Sequence, residues 1–360
     1  MRKSVLLSFV LILIFSTAIQ GTTRYIKVDG SGDQSTIQAG IDASSTGDTV
    51  LVGPGTFTGT GNRDINFSGK AIVVMSEMGT DSTIIDCQGS FGDEHRGFNF
   101  TSGEDSLSVL QGFTIMNGYY DNGGGIHCVD SSPTIHENVI TSCYNGGIYC
   151  NRTFTIIKNN LIYDNSAGFG GGIYCLEDTS AITGNEILNN WSNDGGGIWC
   201  SSSLIDITGN VIKNNNDPLS SAGGGIYLGS GTYSVISNRI EDNQGIVGIG
   251  IYCTNSDVII RYDTLQDNRH YPQSGGPGGG IYCYGGNCII EHNIITGNSG
   301  GNGGGISLSS PDTAKVRYNQ IIGNDAIRMG PCKLFESRER SLSSNSELYN
   351  PTQGIAGCPS

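Results

Sequence analysis

The stretch Gly170-Gly171-Gly172-Ile173-Tyr174-Cys175, followed by Ile182-Thr183-Gly184-Asn185-Glu186-Ile187-Leu188-Asn189-Asn190, decides the fold. The same two-part phrase recurs eight times between Gly123 and Asn324. Its first Ile falls at 126, 148, 173, 198, 226, 251, 281 and 306. Its first Asn falls at 138, 160, 185, 210, 238, 293 and 319, with Asp263 in the remaining place. Ile and Asn are 12 residues apart seven times and 13 once, so length varies mainly between the closing Asn and the next glycines. A fixed period with insertions at one corner marks a solenoid.

The apolar residues alternate within each repeat, as strands require, and no segment shows the i, i+3, i+4 spacing of a helix. Glycine and asparagine break every run. The pattern predicts an all-β, single-stranded right-handed parallel β-helix of about eleven rungs, roughly 50 Å long at the usual strand spacing. Regular repeats cover 123–324 and less regular strands begin at 64. The repeats resemble the pectin-lyase-like parallel β-helix proteins. Their pairing of Gly-Gly-x-Ile with Ile-x-x-Asn is similar to that of bacterial surface adhesins. This resemblance implies fold far more than function, because the scaffold hosts many activities.

Ahead of the repeats, residues 24–63 read as an N-terminal cap. Ser35 to Ala43 suits a short amphipathic helix and Asp48 to Val52 a strand, which together cover the open apolar end of a solenoid. This stretch resembles the opening of several pectin-lyase-like proteins, carbohydrate esterases among them, although no later esterase motif follows. Met1-Arg2-Lys3, the apolar run Val5 to Phe15 and the small residues Ser16-Thr17-Ala18 read as a signal peptide over 1–20. The expectation is an exported protein, secreted, on the cell surface or in the periplasm, with no membrane insertion after signal removal. Residues 325–360 carry Cys332 and Cys358 and read as a C-terminal cap closed by a disulfide, or a tail.

The net charge of -14 argues against nucleic acid and against anionic membrane surfaces. It also disfavours an acidic polysaccharide unless calcium bridges the two. Charged residues make up only 14% of the chain, and its polarity comes from Asn, Ser and Thr. Oligomeric state is not legible.

In a parallel β-helix, equivalent residues stack into ladders. The inward column Cys128, Cys150, Cys175, Cys200, Leu228, Cys253, Cys283, Leu308 lets Leu replace Cys, so it reads as apolar packing. A straight stack also does not converge thiols on one point, and no metal site is expected. Rung-to-rung disulfides fit the spacing. Eleven cysteines leave at least one unpaired. The Asn column reads as amides hydrogen-bonded from rung to rung.

The outward column reads His127, Tyr149, Tyr174, Trp199, Tyr227, Tyr252, Tyr282, Ser307. Six consecutive aromatics make a strip about 24 Å long. Such a strip stacks on sugar rings, or stabilises the sheet by packing alone. The insertions Asn216–Ser221 and Arg269–Ser274 lie beside it and commonly form the binding face of a solenoid. Candidate ligand-binding residues are therefore Tyr149, Tyr174, Trp199, Tyr227, Tyr252, Tyr282, Arg269, His270 and Tyr271, with a polysaccharide or cell-surface glycan as partner.

A catalytic site is not evident. Lyases that the fold resembles use calcium-binding acids with an Arg or Lys base; its hydrolases use clustered aspartates. Here no Asp-Asp pair or Gly-His-Gly occurs. Arg261, Glu291 and Arg317 form one charged ladder and read as mutually neutralising. Gly92-Asp93-Glu94-His95-Arg96 holds suitable groups, but adjacency in one loop is weak evidence. The expected function is thus non-catalytic binding of carbohydrate or another surface, with no cofactor. A polysaccharide lyase or hydrolase, with calcium if a lyase, is the alternative, and a purely structural rod the third reading. Two or more acids and a base gathered on three adjacent rungs would favour an enzyme.

Overall fold

The computed structural model describes residues 21–216, 222–270, 276–301 and 303–326. Tyr271, the expected signal peptide, most of the 216–221 insertion and the Cys332–Cys358 pairing lie outside these residues. The chain winds as an all-β parallel solenoid of about 12 turns, one more than the periodicity predicted, because Thr23–Ile26 and Thr49–Val52 pair in the same sheet as the later turns. Among the described residues three long parallel sheets hold twelve, ten and eleven strands.

One repeat shows how the phrase makes a turn. Ile173–Leu176 lies in the ten-stranded sheet, Ala181–Thr183 in the twelve-stranded sheet and Glu186–Leu188 in the eleven-stranded sheet. Ile173, Cys175, Ile182 and Ile187 point inward and are fully buried, and their equivalents on every turn stack into a single core. Between the second and third strands the chain turns at a residue with positive φ, such as Asn159 at +54° and Gly184 at +64°. The ladder Asn is the residue after it. The turning residue bends the chain so that the next side chain can point inward, and the ladder Asn itself keeps ordinary backbone.

Those amides form two ladders. Asn160 donates its backbone and side-chain N–H groups to Asn185 Oδ1 at 2.9 and 3.0 Å, and its side chain also donates to Ile135 O at 2.9 Å. The closing Asn repeats the arrangement at the next corner, Asn165 to Asn190 to Asn215 and onward to Asn324. Burying so many amides is tolerable because each donor and acceptor is paired.

The glycines serve close approach at the remaining corner. A Cβ on Gly197 would sit 2.7 Å from the Gly225 carbonyl oxygen, so any side chain there pushes two turns apart. Insertions at this corner pair with one another, as Ser166–Phe169 with Trp191–Asp194, and Gln244–Gly245 with Arg269–His270. At the N-terminal end the helix Ile37–Ala43 is capped by Thr36, whose hydroxyl accepts from the Ala39 N–H. It buries Ile37 and Ile41 over the first turns. No helix among the described residues is long and apolar enough to cross a membrane.

Candidate functional site

The outward column stands in register, Tyr149 paired with Tyr174, Trp199 with Tyr227, and Tyr252 with Tyr282. The rings pack on each other along its whole length. His127 and Tyr149 stack at 5.3 Å, and Trp199 and Tyr227 at 5.5 Å. Tyr174 breaks the sequence, lying at 81° to Tyr149 and 88° to Trp199. Neighbouring rings therefore take up much of the ring surface that the column could have offered. Tyr149 and Tyr282 are buried, and Tyr174, Trp199, Tyr227 and Tyr252 are half-buried. Burial raises the Tyr227 hydroxyl to about 12, so it stays protonated and can donate.

The insertion corner adds a shoulder of exposed aromatics that the column analysis missed. Phe169 leans over Tyr174 and Trp199, with ring centres 6.2 and 5.5 Å away. Tyr144, stacked on Tyr119 at 4.9 Å, and Trp191 continue the shoulder. Their signal was present in the sequence as aromatic residues just after the closing position of the phrase. Arg269 is exposed and approaches Asp267 at 3.4 Å. His270 is buried, and its Nε2 accepts from the Gly276 N–H at 3.0 Å, so it shapes the corner from inside.

At the His127 end the ladder opens into a cavity of about 630 Å³. Asp64, Glu94, His95, Arg96, Asn99, Tyr120, Asp121 and His127 line it, from three successive turns. His95 is held between two carboxylates, Nδ1 to Asp64 Oδ2 at 2.6 Å and Nε2 to Asp93 Oδ1 at 3.1 Å. Asp64 Oδ1 also accepts the Arg96 backbone N–H at 2.9 Å. The buried Arg96 guanidinium lies 3.9 Å from the centre of the Tyr120 ring and donates to the Asp121 carbonyl at 3.0 Å. Its Nη1 has no hydrogen-bond partner. His127 Nδ1 lies 2.8 Å from Asn99 Oδ1. An amide oxygen only accepts, so Nδ1 carries the hydrogen and Nε2 keeps its lone pair. Burial, reinforced by Arg96, pushes this imidazole down to about 4. It is a neutral base at ordinary pH.

Two acids and a base on three adjacent turns thus exist here, the arrangement that favours the lyase or hydrolase alternative. The sequence pointed to the 92–96 loop and to His127 separately. What it did not show is that Asp64 joins them in one cavity, because these early turns are irregular and their columns cannot be aligned by eye. The other charged ladder behaves as expected, Glu291 pairing with both Arg261 and Arg317.

Inside the solenoid, the inward cysteines stack as the columns require, Cys128 on Cys150 on Cys175 on Cys200. All nine cysteines among the described residues are free thiols. The stack is not purely apolar. Among the described residues, one group of three His, Cys, Asp or Glu ligand atoms lies within 4.8 Å of one another: Cys150, Cys175 and Asp178. Asp178 Oδ1 accepts from the Thr153 N–H at 2.9 Å and the Thr153 hydroxyl at 2.6 Å, whereas Oδ2 is buried without a partner. Burial, with the Cys150 thiol beside it, raises this carboxyl to about 6. The position three residues after each column Cys reads Ser131, Thr153, Asp178, Ser203, Ser256 and Gly286, so Asp178 is the one acid in a row of small residues, most of them hydroxyls.

The chain is similar to several solved β-helix structures. The mannuronan C-5 epimerase AlgE4 A-module of Azotobacter vinelandii matches at 16% identity over 85% of this chain and 100% of that one, with a TM-score of 0.43. The complex of XylC with xylose matches at 10% over 80% and 70%, TM-score 0.49. Pectate lyase Pel9A matches at 18% over 88% and 82%, TM-score 0.42. No curated protein matches the sequence. Residues 169–326 match the right-handed β-helix region, and residues 15–227, more than half of the chain, match the family described as periplasmic copper-binding protein (NosD), so the chain belongs to the NosD family and is a right-handed β-helix.

Proposed function

We propose that this protein is an exported β-helix that binds a neutral polysaccharide along its ten-stranded sheet and insertion corner. The observation that carries the reading is the cavity at the His127 end, continuous with the aromatic ladder. It combines an aromatic face, an amide, carboxylates and an arginine, the mixture that hydrogen-bonds sugar hydroxyls while covering their apolar faces. The exposed rings of Tyr120, Tyr144, Phe169 and Trp191 extend that surface along the corner. With three carboxylates lining the cavity and a net charge of -14, a neutral chain is favoured over a uronate. Export agrees with the basic and apolar start of the sequence and with the family's periplasmic description.

The test is retention on a panel of plant, algal and animal polysaccharides, with and without calcium, while released reducing or unsaturated ends are measured. Retention lost in Tyr120→Ala and Phe169→Ala supports binding. Cleavage that disappears in His127→Asn would make the same cavity a catalytic one, with the neutral His127 as base and Arg96 as the positive group. Neither retention nor cleavage leaves the ladder as packing.

The family's description supplies a second reading, copper binding, favoured by the convergence of Cys150, Cys175 and Asp178. Thiols are soft donors and suit Cu(I). A buried carboxylate oxygen without a partner is a standing cost that a cation would remove. These residues fit the metal.

A further inference from the structure

We propose that Cys150 Sγ, Cys175 Sγ and Asp178 Oδ2 form an interior site for one Cu(I) ion, sealed within the solenoid rather than open to exchange. This inference rests on the copper reading and names its residues, its valence and its kinetics.

The donor set selects the valence. Zinc in a closed site asks for four ligands and calcium for six or more oxygens. Three donors, two of them thiols, suit a soft monovalent ion. Asp178 is what distinguishes this turn. Cys128 and Cys200 continue the thiol column on either side, but the residues three places on are Ser131 and Ser203. The neighbouring carboxylate is already oriented, because Thr153 holds Oδ1 with two hydrogen bonds and leaves Oδ2 unpartnered.

Burial sets the kinetics. Cys150 and Cys175 have no exposed surface and Asp178 has 1%. The core packs continuously above and below them. The ion therefore enters before these turns close, its two thiol protons passing to solvent, and leaves only when the turns open.

The experiment produces the full chain in copper-supplemented cells, purifies it and measures bound copper by atomic spectroscopy and its ligands by X-ray absorption. The expected result is about one equivalent, with a sulfur-dominated shell. That copper should persist against the Cu(I) chelator bathocuproine disulfonate while the protein is folded, and be released on denaturation. Cys150→Ser and Cys175→Ser should each lose the metal, whereas Cys283→Ser, on a distant turn, should retain it. Should the cysteine variants fold poorly, Asp178→Asn keeps the Thr153 contacts and should lower retention against chelator about tenfold or more.

Absence of copper from the wild-type protein overturns both the site and the copper reading. Copper that survives Cys150→Ser, or shows a shell of nitrogen and oxygen, overturns the site and leaves the copper reading standing. Rapid loss from folded protein to the chelator overturns the sealed location. A Cys150–Cys175 disulfide in the exported protein overturns the proposal.

Discussion

Asn238 donates its backbone N–H to Asp263 Oδ1 at 2.6 Å and its side-chain N–H to the same oxygen at 2.9 Å, while Asp263 Oδ2 is buried with no partner. Asp263 is the acid in the first amide ladder, and it takes the acceptor half of the role without supplying an amide donor. Burial pushes its carboxyl up to about 8. A carboxyl raised in the folded state binds more protons there than in the unfolded chain. Stability from this group is therefore lost as pH rises from about 4 through about 8. Asp263→Asn restores the donor and removes the penalty. The variant should gain about 1–3 kcal/mol at pH 8 and little at pH 4. Chemical unfolding at the two pH values measures this, and an equal effect at both would refute the assignment.

His127 gives the opposite dependence in acid. Its imidazole is held down to about 4 in the fold, against about 6.5 in an unfolded chain. The unfolded state binds the extra proton between these values, so stability falls as pH drops from about 6.5 to about 4. His127→Asn should flatten that part of the profile. Thermal unfolding between pH 4 and 7 should show the difference, and the His127 ring protons followed by NMR should titrate well below pH 6.

The buried amide ladders are predicted to contribute strongly to holding the turns together. Asn190 accepts from Asn165 at 3.1 and 3.0 Å and donates to Ile162 O and Asn215 Oδ1. Asn190→Ala leaves buried donors and acceptors without partners and should cost about 3 kcal/mol. An exposed insertion residue such as Arg269 should cost under about 0.5 kcal/mol when changed to Ala. Denaturant unfolding of the two variants compares them directly.

Packing and binding can be separated within the aromatic system. Trp199 sits inside the ladder against Tyr174, Tyr227 and Phe169. Trp199→Ala should destabilise by about 1–3 kcal/mol whether or not a glycan binds. Phe169 lies on the outside, 46% exposed. Phe169→Ala should change stability little and weaken polysaccharide retention severalfold. Affinity electrophoresis beside thermal unfolding tells the two apart, and unchanged retention in Phe169→Ala would remove the shoulder from the binding surface.

The amino-acid sequence determined the winding. Its period, its inward Ile and Cys columns and its Asn phrase are properties of order along the chain, and a solenoid turns that order directly into neighbours in space. The register of the aromatic column followed from the same arithmetic, Tyr174 beside Trp199 as the spacing required. What order could not state was ring orientation. The turn of Tyr174 across its neighbours and the cover of Phe169 depend on packing in three dimensions. The cavity was hidden for a related reason, since Asp64, His95 and His127 come from turns of unequal length whose insertions no fixed period relates. Asp178 lies three places after Cys175, but only the winding brings its carboxylate to two thiols on different turns. Repetition made the scaffold readable, and the departures from repetition, which place the chemistry, became visible once the turns were stacked.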